Sequence, residues 1–417
     1  MPLFKFVRRL LESQRGNALV IGAATMPLLV GSAAVALDTI QLNIWKRQLQ
    51  RAADSSALAG AHALAQQKDV EASALRDLQL NNHVPLTGAP DIKSAPQAGP
   101  FAGDARAVRV ALTSQQPLPF WAFFTGTPPT ITADATAKVV ATGRFCMLSL
   151  YQGTESGIDV AGNADVTLGC GMAANSQAPN AITADGTSTV TASHIMAVGG
   201  VVNSSNLLGN PQLLPFSDKQ TDPLAYLPNP PAPGNCTPLT VQNDETVSLA
   251  GNQCFSSIDV RSGGTLLLGP GVYTVNGGDV TLQGTVQSTG GTTGIGGVTF
   301  VMTGPNGLAG DLKINAQAQL NLHAPTRGLY EGVLFYRDRR ASNIEISING
   351  GATSSLEGAL YFPQSDIKFA GNATMDVRCM QLIGQRLKFR GSANISNQCP
   401  PGSGSGAFLG EVVRLVG

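Results

Sequence analysis

IKFAGNATMDVRCMQLIGQRLKFRGSANIS, residues 367–396, contains one motif twice. IKFAGNATMDV at 367 and LKFRGSANIS at 387 each run strand, Gly corner, strand, with apolar and polar residues alternating. Working outward, the motif returns as IDVAGNADVTL at 158, ITADGTSTVTA at 182, IDVRSGGTLLL at 258, VTLQGTVQS at 280, LKINAQAQLNL at 312 and IEISINGGATSSL at 344. From 258 onward the starts lie 22, 32, 32, 23 and 20 residues apart. A second, more uniformly apolar run recurs as VTFV at 298, VLFY at 333, ALYF at 359 and MQLI at 380. Repeats of this size mark a solenoid, in which each coil buries its inner residues against its neighbours. Gly and Asn at the corners supply the left-handed backbone that such turns need. The expected fold for 143–405 is a parallel β-helix of roughly eight coils, with an irregular β-sandwich as the alternative.

Composition agrees. The 417 residues include 48 Gly and 25 Pro, and aromatic residues make up 6%, which suits turn-dense β structure. Lys plus Arg and Asp plus Glu balance at 27 each. That balance gives no electrostatic case for nucleic acid. Val201–Thr240 interrupts the period, and its LPFSDKQTDPLAYLPNPPAPGNC reads as an extended excursion, because so many prolines forbid regular pairing. Cys146, Cys170, Cys236, Cys254, Cys379 and Cys399 form three neighbouring couples. Neighbour-paired disulfides in an oxidising compartment are expected, with buried free thiols as the alternative. No metal or cofactor is expected, since the four His lack ligand spacing.

Upstream the pattern turns helical. Ala18–Leu37 has no charged residue, and about 20 helical residues span one hydrocarbon core. Lys5, Arg8, Arg9 and Arg15 precede it; Lys46, Arg47 and Arg51 follow it. Three readings compete: a retained anchor, a signal cleaved at Ala34-Val35-Ala36, and a buried core helix. The basic flank argues against the third, and the length of the apolar run argues against the second. Leu42, Trp45, Leu49, Ala52 and Ser56 carry the helical stripe onward, so one helix leaves the lipid bilayer and enters the next domain. Pro27 is expected to kink it. With the cysteines, the asymmetry places the amino end in the cytoplasm and the bulk outside.

The residues Arg15-Gly16-Asn17-Ala18, Pro27 mid-span, Asp38 just after Leu37, RQLQ at 47 and AADSSALAGA at 52 resemble the amino-terminal module of TadG-like proteins. These belong to the TadE/TadG-like group of the bacterial tight-adherence (Flp) pilus machinery. The resemblance implies a pilin-like, inner-membrane protein whose partners are pilus-assembly proteins. Related pseudopilins are cleaved after a Gly and carry Glu five residues later. Counting from Gly16, that place is Ile21, so the anchor is expected to stay unprocessed.

The implied plan is α+β and membrane-anchored. A basic cytoplasmic segment (1–16) leads to a transmembrane helix (17–37), then to a pilin-like helix plus small sheet (38–142), the solenoid, and a tail (406–417). Within 38–142, Ala53, Ala57, Gly60, Ala61 and Leu64 form a ridge of small residues, residues 81–105 read as loop, and 108–112 and 130–142 read as strands. Trp121, Phe123 and Phe124 read as core packing rather than as a partner surface.

Chemistry is sparse. A glycan-cleaving β-helix needs acids clustered at coil spacing; Asp366 and Asp376 come closest, and no paired carboxylates recur in register. Lys368, Arg378, Arg386, Lys388 and Arg390 form a candidate basic strip for an anionic glycan, against the plainer reading of a solvated face. A non-enzymatic assembly or adhesion protein is therefore expected, with a carbohydrate-active or glycan-binding β-helix as the alternative.

Overall fold

The computed structural model describes residues 14–202, 205–290, 296–349, 354–371, 374–377, 379–397 and 407–417. The chain divides into two compact units, Met1–Val140 with Val413–Gly417, and Ala141–Val412.

The first unit is organised by helix α1 (Gln14–Ala65), which runs through Pro27 as one element. Its amino-terminal half is exposed along an apolar surface, with Leu28 at 73% and Leu29 at 67%. From Leu49 onward, one face is buried. Ala53, Ala57 and Ala61 pack against Val108, Val110 and Leu112 of strand β2 (Ala107–Gln115) and Ile131 to Ala137 of strand β3 (Thr130–Ser149). The small ridge sets that distance: a Cβ on Gly60 would stand 2.9 Å from a Val108 methyl. Helix α2 (Val70–Asn81) begins at Asp69, whose carboxylate accepts from the Ala72 N–H at 2.9 Å. It crosses α1 closely enough for Ser56 Oγ to donate to the Ala74 carbonyl. The loop expected over 81–105 contains a strand, β1 (Asp91–Ser94), antiparallel to β2. It is an edge strand whose only half-buried side chain is Ile92, too short and polar to stand out by alternation. A seven-residue helix, α3 (Pro119–Thr125), joins β2 to β3.

The second unit is a parallel β-helix. Its inner residues form aligned ladders: Ile258, Val280 and Leu312 occupy one register, as do Ile346, Ile367 and Leu387. Tyr273, Phe300 and Phe335 pile up in the core, the last two with centroids 4.9 Å apart, and Phe369 lies on Phe389 at 5.2 Å.

The coils do not stack in chain order. Residues 379–397 pair in parallel with 145–168: Leu382 with Met147, Leu387 with Ile158, and Ile395 with Val166. The stack therefore runs from 237–249 up through 258, 280, 312, 346, 367 and 387, and continues into 158, 182 and 201. The chain enters mid-stack, climbs to 214, crosses back to the far end, and climbs again until its last coil meets its first. Corner glycines follow the spatial order. Gly371, Gly391, Gly162 and Gly186 all have positive φ, and the place a Cβ would take on each of the last three lies against the backbone of the glycine before it. A side chain would crowd that backbone as well as strain the turn.

The return crossing is narrower than the expected 201–240. Leu207–Leu208 and Gln212–Leu214 still pair as coil strands, and Thr237–Val241 is already a strand. Between them, residues 215–236 form a strap that descends the stack coil by coil. Asn175 exchanges two hydrogen bonds with Gln220, Tyr361 OH donates to Asp222 at 2.6 Å, and Tyr336 OH donates to the Pro228 carbonyl at 3.3 Å. Thr303 Oγ1 and Asn276 Nδ2 reach the Pro230 and Pro233 carbonyls, and the Cys236–Cys254 disulfide closes the descent. The strap buries Leu224 and Leu227 on Val301, Val333, Tyr336 and Tyr361. This explains why VTFVMT, VLFYR and MQLIG are buried at every position, unlike the alternating strands on the other faces.

Candidate functional site

The expected basic strip is a charge ladder. Lys368 and Lys388 are register partners, as their 20-residue spacing predicts, and Lys388 pairs with Asp159 on the next coil. Each described cation meets a carboxylate. Lys368 lies 3.3 Å from Glu345; Lys388 lies 3.0 Å from Glu345 and 2.9 Å from Asp366. Arg386 pairs with Asp366 at 2.7 Å and with Glu155, and Arg390 pairs with Asp159. The hydrogen-bonded Lys388 ammonium, aided by Lys368, holds the Glu345 carboxyl below its ordinary range. Burial works against the Lys388 charge, but its bonds to Asp366 and Glu345 outweigh that and raise its pKa. The acids reach the strip through the coil order. Glu155 and Asp159 belong to the coil that stacks directly on 379–397, though they lie far away in sequence. Arg378 falls outside the described residues, as does Cys399; the side chain of Asp376 is also outside them.

Arg337 is fully buried, yet its guanidinium is consumed by the carbonyls of Ala309, Gly310 and Ser342 and by Ser365 Oγ. It ties three corners together. His194 rests near the Phe145 ring, and His323 bonds Ser288. Cys146–Cys170 and Cys236–Cys254 are disulfides between neighbouring cysteines, and Cys379 is disulfide-bonded as well.

The remaining site is on the anchor. Gly16, Asn17, Ala18, Pro27, Leu37 and Asp38 all lie within α1. Asp38 is buried although its neighbours Leu37 and Ile40 are exposed. Its carboxylate accepts the Trp121 backbone N–H at 2.6 Å. Trp121 is the third residue of α3, and Leu118, the residue before that helix, offers no side-chain cap. Asp38 thus caps α3 from another helix, satisfying an amide that α3 leaves open. Val35, Asp38, Leu42, Leu118, Phe120 and Trp121 enclose an apolar cleft of about 320 Å³. Trp121 is 47% exposed and Phe120 39%; the expected core packing of Trp121 is wrong, because its ring lies on the outer side of a helix held at its backbone. Phe123 and Phe124 have no described side chains.

The exposed apolar helix and the small-residue ridge that continues it are where comparison with known families finds a match. Residues 16–65 match the family model of putative Flp pilus-assembly TadE/G-like proteins. The TadE/G-like segment thus covers the anchor, Asp38 and the small-residue ridge, and supports a part in Flp pilus assembly. One apolar helix near the amino end fits a single-pass membrane anchor. No curated protein and no solved structure matches the chain. The Asp38–Trp121 contact joins the matched segment to a helix outside it, 83 residues along the chain, and the sequence does not show it. The only signal was an acid placed just past an apolar span, with no basic residue within helical reach before Lys46.

Proposed function

We propose that this chain is a non-enzymatic component of Flp (tight-adherence) pilus assembly or surface attachment. It is anchored by α1 in the bacterial inner membrane, amino end in the cytoplasm, and holds its β-helix on the periplasmic or surface side. The observation that carries this reading is the TadE/G-like match falling on a helix whose apolar side chains are exposed along the span. Disulfides in the β-helix favour the oxidising side. Ile21, in place of the pseudopilin Glu, favours a tether over a polymerising subunit. Asp366, the nearest candidate for an acid catalyst, is engaged by Arg386 and Lys388, which favours a structural ladder over glycan cleavage or capture. Deletion of the gene is expected to abolish pilus-dependent attachment, with recovery by the full chain but not by one lacking residues 16–37. Unchanged piliation and attachment in the deletant would overturn the proposal.

A further inference from the structure

We infer that α3 is a second membrane contact, lying in the headgroup layer beside the exit of α1 with Phe120 and Trp121 turned to lipid. The inference rests on reading α1 as a single-pass anchor. Four observations converge on it. Ala18–Leu37 fills one hydrocarbon core, so residues 35–42, which wall the cleft with α3, stand at the interface. Beyond Leu37 the exposed surface of α1 stays uncharged, with Ile40 and Ile44 exposed beside Thr39 and Asn43, and the first exposed cations are Lys46 and Arg47. No charged residue occurs between Arg109 and Asp134, so the whole hairpin arm carrying α3 can approach lipid without desolvating a charge. Trp and Phe on a short helix at this depth are the residues that settle at the headgroup boundary.

The buried Asp38 gains a reason from this placement. A bare carboxylate at the edge of the hydrocarbon is costly; here the Trp121 amide covers it, and α3 is fixed at the depth where its rings meet the interface. The occupant of the exposed α3 face is lipid because that face continues the one surface of this unit already given to the bilayer.

The test uses the full chain in phosphatidylcholine–phosphatidylglycerol vesicles and its tryptophan emission. Subtracting the signal of Trp121→Phe from that of the unmodified chain isolates Trp121 without touching Trp45. Lipids brominated near the headgroup should quench that difference signal about two-fold, and lipids brominated at the bilayer centre should quench it less. Trp45, the emitter left in Trp121→Phe, should be quenched little by either. A Trp121 signal unmoved by both lipids, in vesicles that carry the chain through flotation, would overturn the inference and leave the anchor standing. Equal quenching of Trp45, or stronger quenching from the bilayer centre, would overturn the assigned depth. Failure of the chain to float would overturn the anchor reading itself, and this inference with it.

Discussion

Glu345 serves two cations of the ladder, Lys368 and Lys388, together. Its carboxyl is held below the ordinary 4.5, so its contribution is present above that pH and fades as pH falls through the lowered value. Lys388 is raised above 10.5, so its contribution is present below that pH and fades as pH rises through the raised value. Between those limits both act. The groups are partly exposed, so the sum is small, under about 1 kcal/mol after solvent screening. Glu345→Gln should lower the melting temperature slightly at neutral pH and converge with the unmodified chain once pH falls below the lowered value, as read by calorimetry. The stacking of Lys368 on Lys388 could be read from the 20-residue repeat. The acids that neutralise the strip could not, because Asp159 and Glu155 reach it only through the order of the coils. Asp38 was visible as an acid at a membrane exit, but not the amide it caps, which lies 83 residues away.

The strap is only partly legible in the sequence. Its prolines marked an excursion, and Cys236 with Cys254 marked its end. Its path down one face was not legible, because that path depends on hydrogen bonds from Tyr361, Tyr336, Thr303 and Asn276, each from a different coil. A hint lay in the uniformly apolar runs VTFV, VLFY, ALYF and MQLI: a strand with no polar face needs cover on both sides. The disulfide closes a loop with sequence separation 18. Replacing both cysteines by Ser should cost about 2–4 kcal/mol of stability, measured by denaturant unfolding, with the difference abolished when both chains are compared fully reduced. By contrast, α1 was legible almost whole, since length, charge gap and small-residue ridge are local properties.

For the β-helix as a whole, the repeat announced the architecture but not the sequence of coils, because each coil motif fits any neighbour of similar shape. The register ladders decide it, and they make 379–397 a neighbour of both 355–377 and 145–168. Phe389→Ala removes a fully buried ring from that central coil and should cost about 3–5 kcal/mol. In hydrogen exchange, protection should fall at 158–168 as much as at 366–370, while 239–249 at the far end stays protected. A serial stack would leave 158–168 untouched.

Entry in mid-stack also gives this protein a clock. During synthesis residues 145–168 emerge long before the coil on which they rest, with the 210 residues 169–378 intervening. At 5–20 residues per second that is roughly 10–40 s. Through that interval the inner strands at 147 and 158 present an unpaired parallel edge, the kind of surface that recruits wrong partners. Whatever escorts the nascent chain must shield that edge for tens of seconds, and it is released when the last coil arrives.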